Sequence, residues 1–136
     1  MINVDYLIKL YVYPILYEEC KRLGVPREFV LCVYSCYWRE GRAGFIEEVW
    51  EDGELKGVRI RISECNQSRG EVLKVFFHEM YHAKEKWERK KRIFSELRAD
   101  LYAEFRFLKI MLSELRSPRK KNVFPIITTS DKFIIG

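Results

Sequence analysis

Two histidines, His78 and His82, stand four residues apart with Glu79 between them, and they are the only histidines in the 136-residue chain. On a helix, side chains four apart share a face about one turn from each other, so both imidazoles can reach a single ion. Imidazole nitrogen suits Zn²⁺, which takes its ligands at about 2.0–2.1 Å in tetrahedral directions. Glu79 is turned by about 100° from His78 around the helix axis. Its carboxylate therefore stands beside such an ion instead of on it, where it can accept a proton from water. The set lies midway along an apolar segment, where two imidazoles and a carboxylate are costly to bury without a partner.

Two histidines do not complete a catalytic zinc site, which needs a third protein ligand and an open position. The next helical stretch supplies a candidate. Glu96 and Asp100 are four apart and share a face, and Ala99 and Ala103 extend that face with small side chains that permit close approach. Glu96 is then the third ligand. Asp100 accepts the outer N–H of a ligating histidine, which fixes the tautomer and raises its basicity.

The elements that must position these groups read as α, β, β, β, α, α, an α+β domain. Val4 to Leu23 has helical apolar spacing, closed by Gly24, with Pro14 forcing a kink or two short helices near Leu10 to Pro14. Phe29 to Trp38 is nearly free of charge and rich in β-branched and aromatic residues, as expected of a strand buried on both faces. Phe45 to Trp50 is a second strand, followed by the hairpin signal Asp52-Gly53. In Val58 to Ile62 the apolar residues alternate with Arg59 and Arg61, the pattern of a half-exposed strand. The sheet is expected to be three-stranded and mostly antiparallel. Ser68 and Glu71 form a capping box for a helix starting near Arg69, apolar nearly all round until Ala83 and charged beyond. The last helix, Ser95 to Leu115, carries a stripe of Leu97, Leu101, Leu108, Leu112 and Leu115 that is expected to take the core, before Ser117-Pro118 stops it. We divide the chain into one domain, 1–118, and a tail, 119–136.

With 48% hydrophobic and 33% charged residues and no long uncharged apolar run, the chain excludes a membrane-spanning protein. No secretory signal is legible at the N-terminus, so a cytoplasmic protein is expected. Cys20, Cys32, Cys36 and Cys65 form no Cys-x-x-Cys pair, and free thiols are the default in that compartment. The net charge of +5 biases encounters toward polyanions without specifying one.

Taken together, His78, Glu79 and His82 followed by Glu96, Ala99, Asp100, Tyr102 and Ala103 resemble the gluzincin metallopeptidases, and among them the smallest members, the minigluzincins and the ImmA/IrrE-like metallopeptidases. Such chains commonly have an acidic residue just before the alanine, where this one has Arg98. The resemblance, over about Gly57 to Leu108, implies a minimal zincin-like domain with Zn²⁺ as cofactor, His78, His82 and Glu96 as its ligands and Glu79 as general base for hydrolysis of a peptide or protein substrate. It also implies that Val58 to Ile62 is an edge strand lining the cleft. Arg59, Ile60 and Arg61 would then meet an extended peptide, with the arginines favouring acidic sequences. With no further histidine, an oxyanion would fall to a tyrosine or an arginine. Asn122 to Gly136 is apolar enough to dock over the cleft and hold the enzyme latent. The competing reading is a basic module for nucleic acid or a protein partner, with a non-catalytic metal, built on Lys84 to Arg92 and Trp87.

Overall fold

In a computed structural model, which describes residues 3–37 and 41–116, the chain forms α1 (Val4–Leu7), a π-helical turn (Ile8–Val12), α2 (Tyr13–Leu23), a 3-10 turn (Arg27–Phe29), β1 (Val30–Cys36), β2 (Gly44–Glu51), β3 (Glu54–Ser63), α3 (Arg69–Glu88) and α4 (Ser95–Leu115). The tail expected to cover the cleft lies outside the described residues. The α+β order is the expected one. Pro14 accounts for the π turn. Proline has no N–H to donate and its ring collides with the preceding turn. The backbone widens by one residue just before it, with the Tyr13 N–H bonding to the Ile8 carbonyl. The Tyr13 hydroxyl reaches β1, donating to the Val33 carbonyl at 2.7 Å and accepting from the Val33 N–H at 3.3 Å.

The three strands pair in the order β1-β3-β2. β2 and β3 form an antiparallel hairpin closed by Asp52 and Gly53, both with positive φ, the geometry whose twist suits a two-residue turn. β1 runs parallel to β3. The sheet is therefore mixed instead of mostly antiparallel. The expectation that Val58 to Ile62 forms an edge is also corrected: β3 is the central strand, bonded on both sides. Phe29 to Trp38, expected to be buried on both faces, gives β1, an edge strand only partly buried, whose outer side Tyr13 partly covers. The reason is that the sheet packs its core against one face. Val58, Ile60 and Ile62 are fully buried there with Phe76, Phe77 and Met80 of α3 and with Ile8, Val12 and Leu16 of the N-terminal helices. Arg59 and Arg61 point to the opposite face, where both pair with Glu47 and the Arg61 guanidinium lies over the Tyr34 and Phe45 rings. Arg59, Ile60 and Arg61 accordingly offer no free strand edge to a substrate.

The capping box of α3 forms as the sequence suggests, with Ser68 and Glu71 each bonding the other's backbone N–H. α4 returns along α3, and its small residues Ser95, Ala99 and Ala103 are the buried ones. The expectation that the leucine stripe takes the core is corrected here. Leu97, Leu101, Leu108, Leu112 and Leu115 are all exposed. Small side chains let the two helix backbones come close, and that approach brings the acidic face of α4 to the histidines. Polar clamps hold the arrangement. Arg69 pairs with Glu114, and the buried Glu19 of α2 accepts from the Tyr102 hydroxyl and, at 3.2 Å, from Arg106.

Where β2 meets α3, Gly44 has no room for a side chain. A Cβ there would overlap the Val75 side chain and lie 2.8 Å from the Arg61 carbonyl oxygen. Gly44→Ala is expected to destabilise the fold by about 1–3 kcal/mol, since backbone and a β-branched residue must both give way. Denaturant unfolding against the unchanged chain measures this, and an unchanged midpoint contradicts it.

Candidate metal centre

α3 and α4 bring three of the residues singled out from the sequence to one point. His78 Nε2 and His82 Nε2 are 3.2 Å apart. Glu96 reaches both from α4, with one oxygen 3.1 Å from His78 Nε2 and the other 3.0 Å from His82 Nε2. Among the described residues this is the group that can hold a metal, all its ligand atoms lying within 4.8 Å of one another. Tetrahedral ligands at the usual zinc–nitrogen distance lie about 3.3 Å apart, so the spacing suits such an ion.

The outer nitrogens of the rings explain why these three point inward. His78 Nδ1 lies 2.8 Å from Asp100 and His82 Nδ1 lies 2.9 Å from Glu85. A carboxylate can only accept, so with a metal on the two Nε2 atoms each imidazole would donate its Nδ1–H to Asp100 or Glu85. The donor set thus fits a divalent metal, and imidazole with carboxylate fits zinc.

Asp100 stands where the sequence placed it. Glu85 was not anticipated. It is buried near the start of the charged run that follows Ala83, and the turn between α3 and α4 satisfies it. Ser95 donates to it at 2.7 Å and the Arg92 N–H at 3.2 Å. Burial alone would raise its pKa, yet the bonds from His82, Ser95 and Arg92 hold it below the ordinary carboxylate value. The spacing His-x-x-Glu from His82 is the one local signal for it. Glu85→Gln is expected to weaken metal binding by about 10–100-fold, the usual effect of losing such an outer partner. Calorimetric titration with zinc checks it, and unchanged affinity would make Glu85 merely structural.

Glu79 is buried in the wall of the same cleft, its carboxylate beside Gly44, where β2 lacks a side chain. Burial pushes its pKa up to about 7, with His78 opposing, Glu96 adding to the rise and Arg42 opposing. A cation nearby would draw the value down again. The cleft, about 1190 Å³, is walled by α3, α4 and β2. At one end it carries Lys86, Arg89, Lys90 and Lys91, and Arg42 lies near Glu79. All four cysteines are free thiols. No helix among the described residues is long and apolar enough to cross a membrane. No family model, curated protein or solved structure matches the chain.

Proposed function

We propose that this chain is a cytoplasmic zinc-dependent peptidase of the gluzincin kind. The observation that carries the reading is the convergence of two imidazoles, each with its outer nitrogen on a carboxylate, and Glu96 on one point, with the buried carboxyl of Glu79 beside them. A zinc ion held by His78, His82 and Glu96 would supply Lewis acidity, activating water and polarising the scissile carbonyl. Glu79 would take the proton from the attacking water and return it to the leaving amine, a shuttle suited to a buried carboxyl in the wall of the cleft. Arg42, which lines the cleft, would be a cation available to meet charge developing on the carbonyl oxygen.

An extended peptide would add to the free edge of β2, which lines the cleft, and not to β3. The acidic preference first attached to Arg59 and Arg61 passes to Arg89, Lys90 and Lys91, which have no ion-pair partner among the described residues and lie within the cleft. The nucleic-acid reading has thinner support. Lys84 and Arg92 pair with Glu88, Lys86 pairs with Glu48, and the Trp87 ring packs edge-on against Phe29 at 5.2 Å. Cleavage of quenched fluorescent peptides by the purified chain, with and without a zinc chelator, tests the proposal. Hydrolysis should stop with chelator and return with zinc, and cleavage indifferent to chelator would overturn it.

A further inference from the structure

The solvent face of α4 is more apolar than a soluble surface requires. Leu97, Leu101, Phe105, Leu108, Leu112 and Leu115 are each 40–61% exposed. Together they offer roughly 600 Å² of apolar area, the upper end of what a monomer shows as its largest patch. Ile93 and Phe94, more than 70% exposed, extend it to roughly 900 Å², against about 800 Å² per partner in a standard protein interface.

The spacing says what kind of surface fits. Phe94, Leu101, Leu108 and Leu115 recur every seven residues, with Leu97 and Met111 three residues after two of them. That is the seam of a helix that packs against another helix. α4 itself is such a helix, of matching length and apolar pattern. Residues 117–136 match less well, since they hold Pro118, Pro125 and the run Ile126-Ile127-Thr128-Thr129, a sequence poor in helix formers.

We infer that the chain forms a two-fold symmetric dimer through the outer faces of two α4 helices packed antiparallel. A parallel pair would set Glu104 against Glu104 in the middle of the seam. An antiparallel pair, with the axis between positions 104 and 105, sets Phe94 against Leu115, Leu97 against Leu112 and Leu101 against Leu108 of the second copy. It sets each Glu104 against Phe105 of the second copy, leaving the carboxylate to its partner Lys74. Such an interface is isologous, as two-fold dimers require. The cleft meets α4 through Glu96, Asp100, Ala103 and Glu104, so the seam borders it at Glu104 and takes none of the three residues that converge on the metal point. The inference is independent of whether the site hydrolyses peptides.

Sedimentation equilibrium of the full chain across the micromolar range tests it. The unchanged chain should sediment at twice its 16.4 kDa mass. The double variant Leu101→Lys, Leu108→Lys should sediment as a monomer, its dimerisation weakened by at least about 100-fold for two charges placed in an apolar seam. Both side chains are exposed, so circular dichroism should show the fold intact. With Cys65→Ser removing the exposed thiol, spin labels on Leu97→Cys should lie about 25 Å apart across the dimer, against about 10 Å for a parallel pair. A monomeric full chain overturns the inference. So does a chain that dimerises only once residues 117–136 are removed, which would give the stripe to the tail. A dimer that survives the double variant, or labels at the shorter distance, overturns it as well.

Discussion

Glu79→Gln is expected to lower peptide turnover by about 10²–10⁴-fold, the usual worth of a positioned general base, while zinc affinity stays within a few fold. Glutamine keeps the size and one acceptor of glutamate but cannot take up a proton. Glu79 is not among the residues converging on the metal point, so its charge is not needed to bind the ion. The variant also has a signature without substrate. A carboxyl whose folded pKa is raised to about 7 from 4.5 favours folding in its protonated form. Its cost to the metal-free protein is therefore absent below the unfolded value, grows as pH rises between the two values, and is complete above the folded one. Glutamine removes that cost, so metal-free E79Q should melt higher than the unchanged chain at pH 8 and no higher at pH 4. Kinetics on a fluorescent peptide, zinc calorimetry and the two melts check the set. Retained turnover would remove Glu79 from the chemistry.

The second large effect is expected at Glu96. Its side chain is 75% exposed, so Glu96→Ala should change the stability of the metal-free protein by less than about 0.5 kcal/mol, as surface substitutions do. Metal affinity should nonetheless fall by at least about 100-fold, beyond the 10–100-fold typical of an outer hydrogen-bond partner. Turnover should fall with it. His82→Ala is less clean, because it leaves the buried Glu85 facing an empty site and mixes folding cost with ligand loss. Thermal melts with excess zinc separate the two effects. The unchanged chain should gain about 4 kcal/mol at a thousandfold excess over Kd, and E96A no more than about 1.4 kcal/mol at that same concentration. An equal gain in both would mean that the ion sits elsewhere.

Much of the site was legible because helical spacing is local. The four-residue spacing from His78 to His82, and from Glu96 to Asp100, fixes a shared face whatever the rest of the chain does. Ala99 and Ala103 announced the close contact of α4 with α3. Ser68 with Glu71 and Asp52 with Gly53 marked a helix start and a hairpin through backbone chemistry that needs no tertiary partner.

What escaped depends on distant contacts. The edge position expected of Val58 to Ile62 rests on the resemblance, and the two-sided burial expected of Phe29 to Trp38 on its apolar content. With the core on one face of the sheet, alternation marks the central strand and continuous apolarity does not. The leucine stripe of α4 was expected to take the core opposite the small-residue face, whereas Ala103 with Tyr102, Phe107 and Ile110 meets the core and the leucines are exposed. Glu85 was hidden in a charged run, and Ser95 and Arg92, which make it a partner for His82, are set by the turn between the helices.

Zinc-edge X-ray absorption on the chain loaded with one equivalent of zinc tests the centre most directly. Two imidazoles from His78 and His82, with carboxylate oxygen from Glu96, should give only nitrogen and oxygen neighbours at about 2.0–2.2 Å, with the multiple scattering of two rings. Sulfur at about 2.3 Å, the mark of the free cysteines taking the metal, or a spectrum without imidazole scattering, would contradict it.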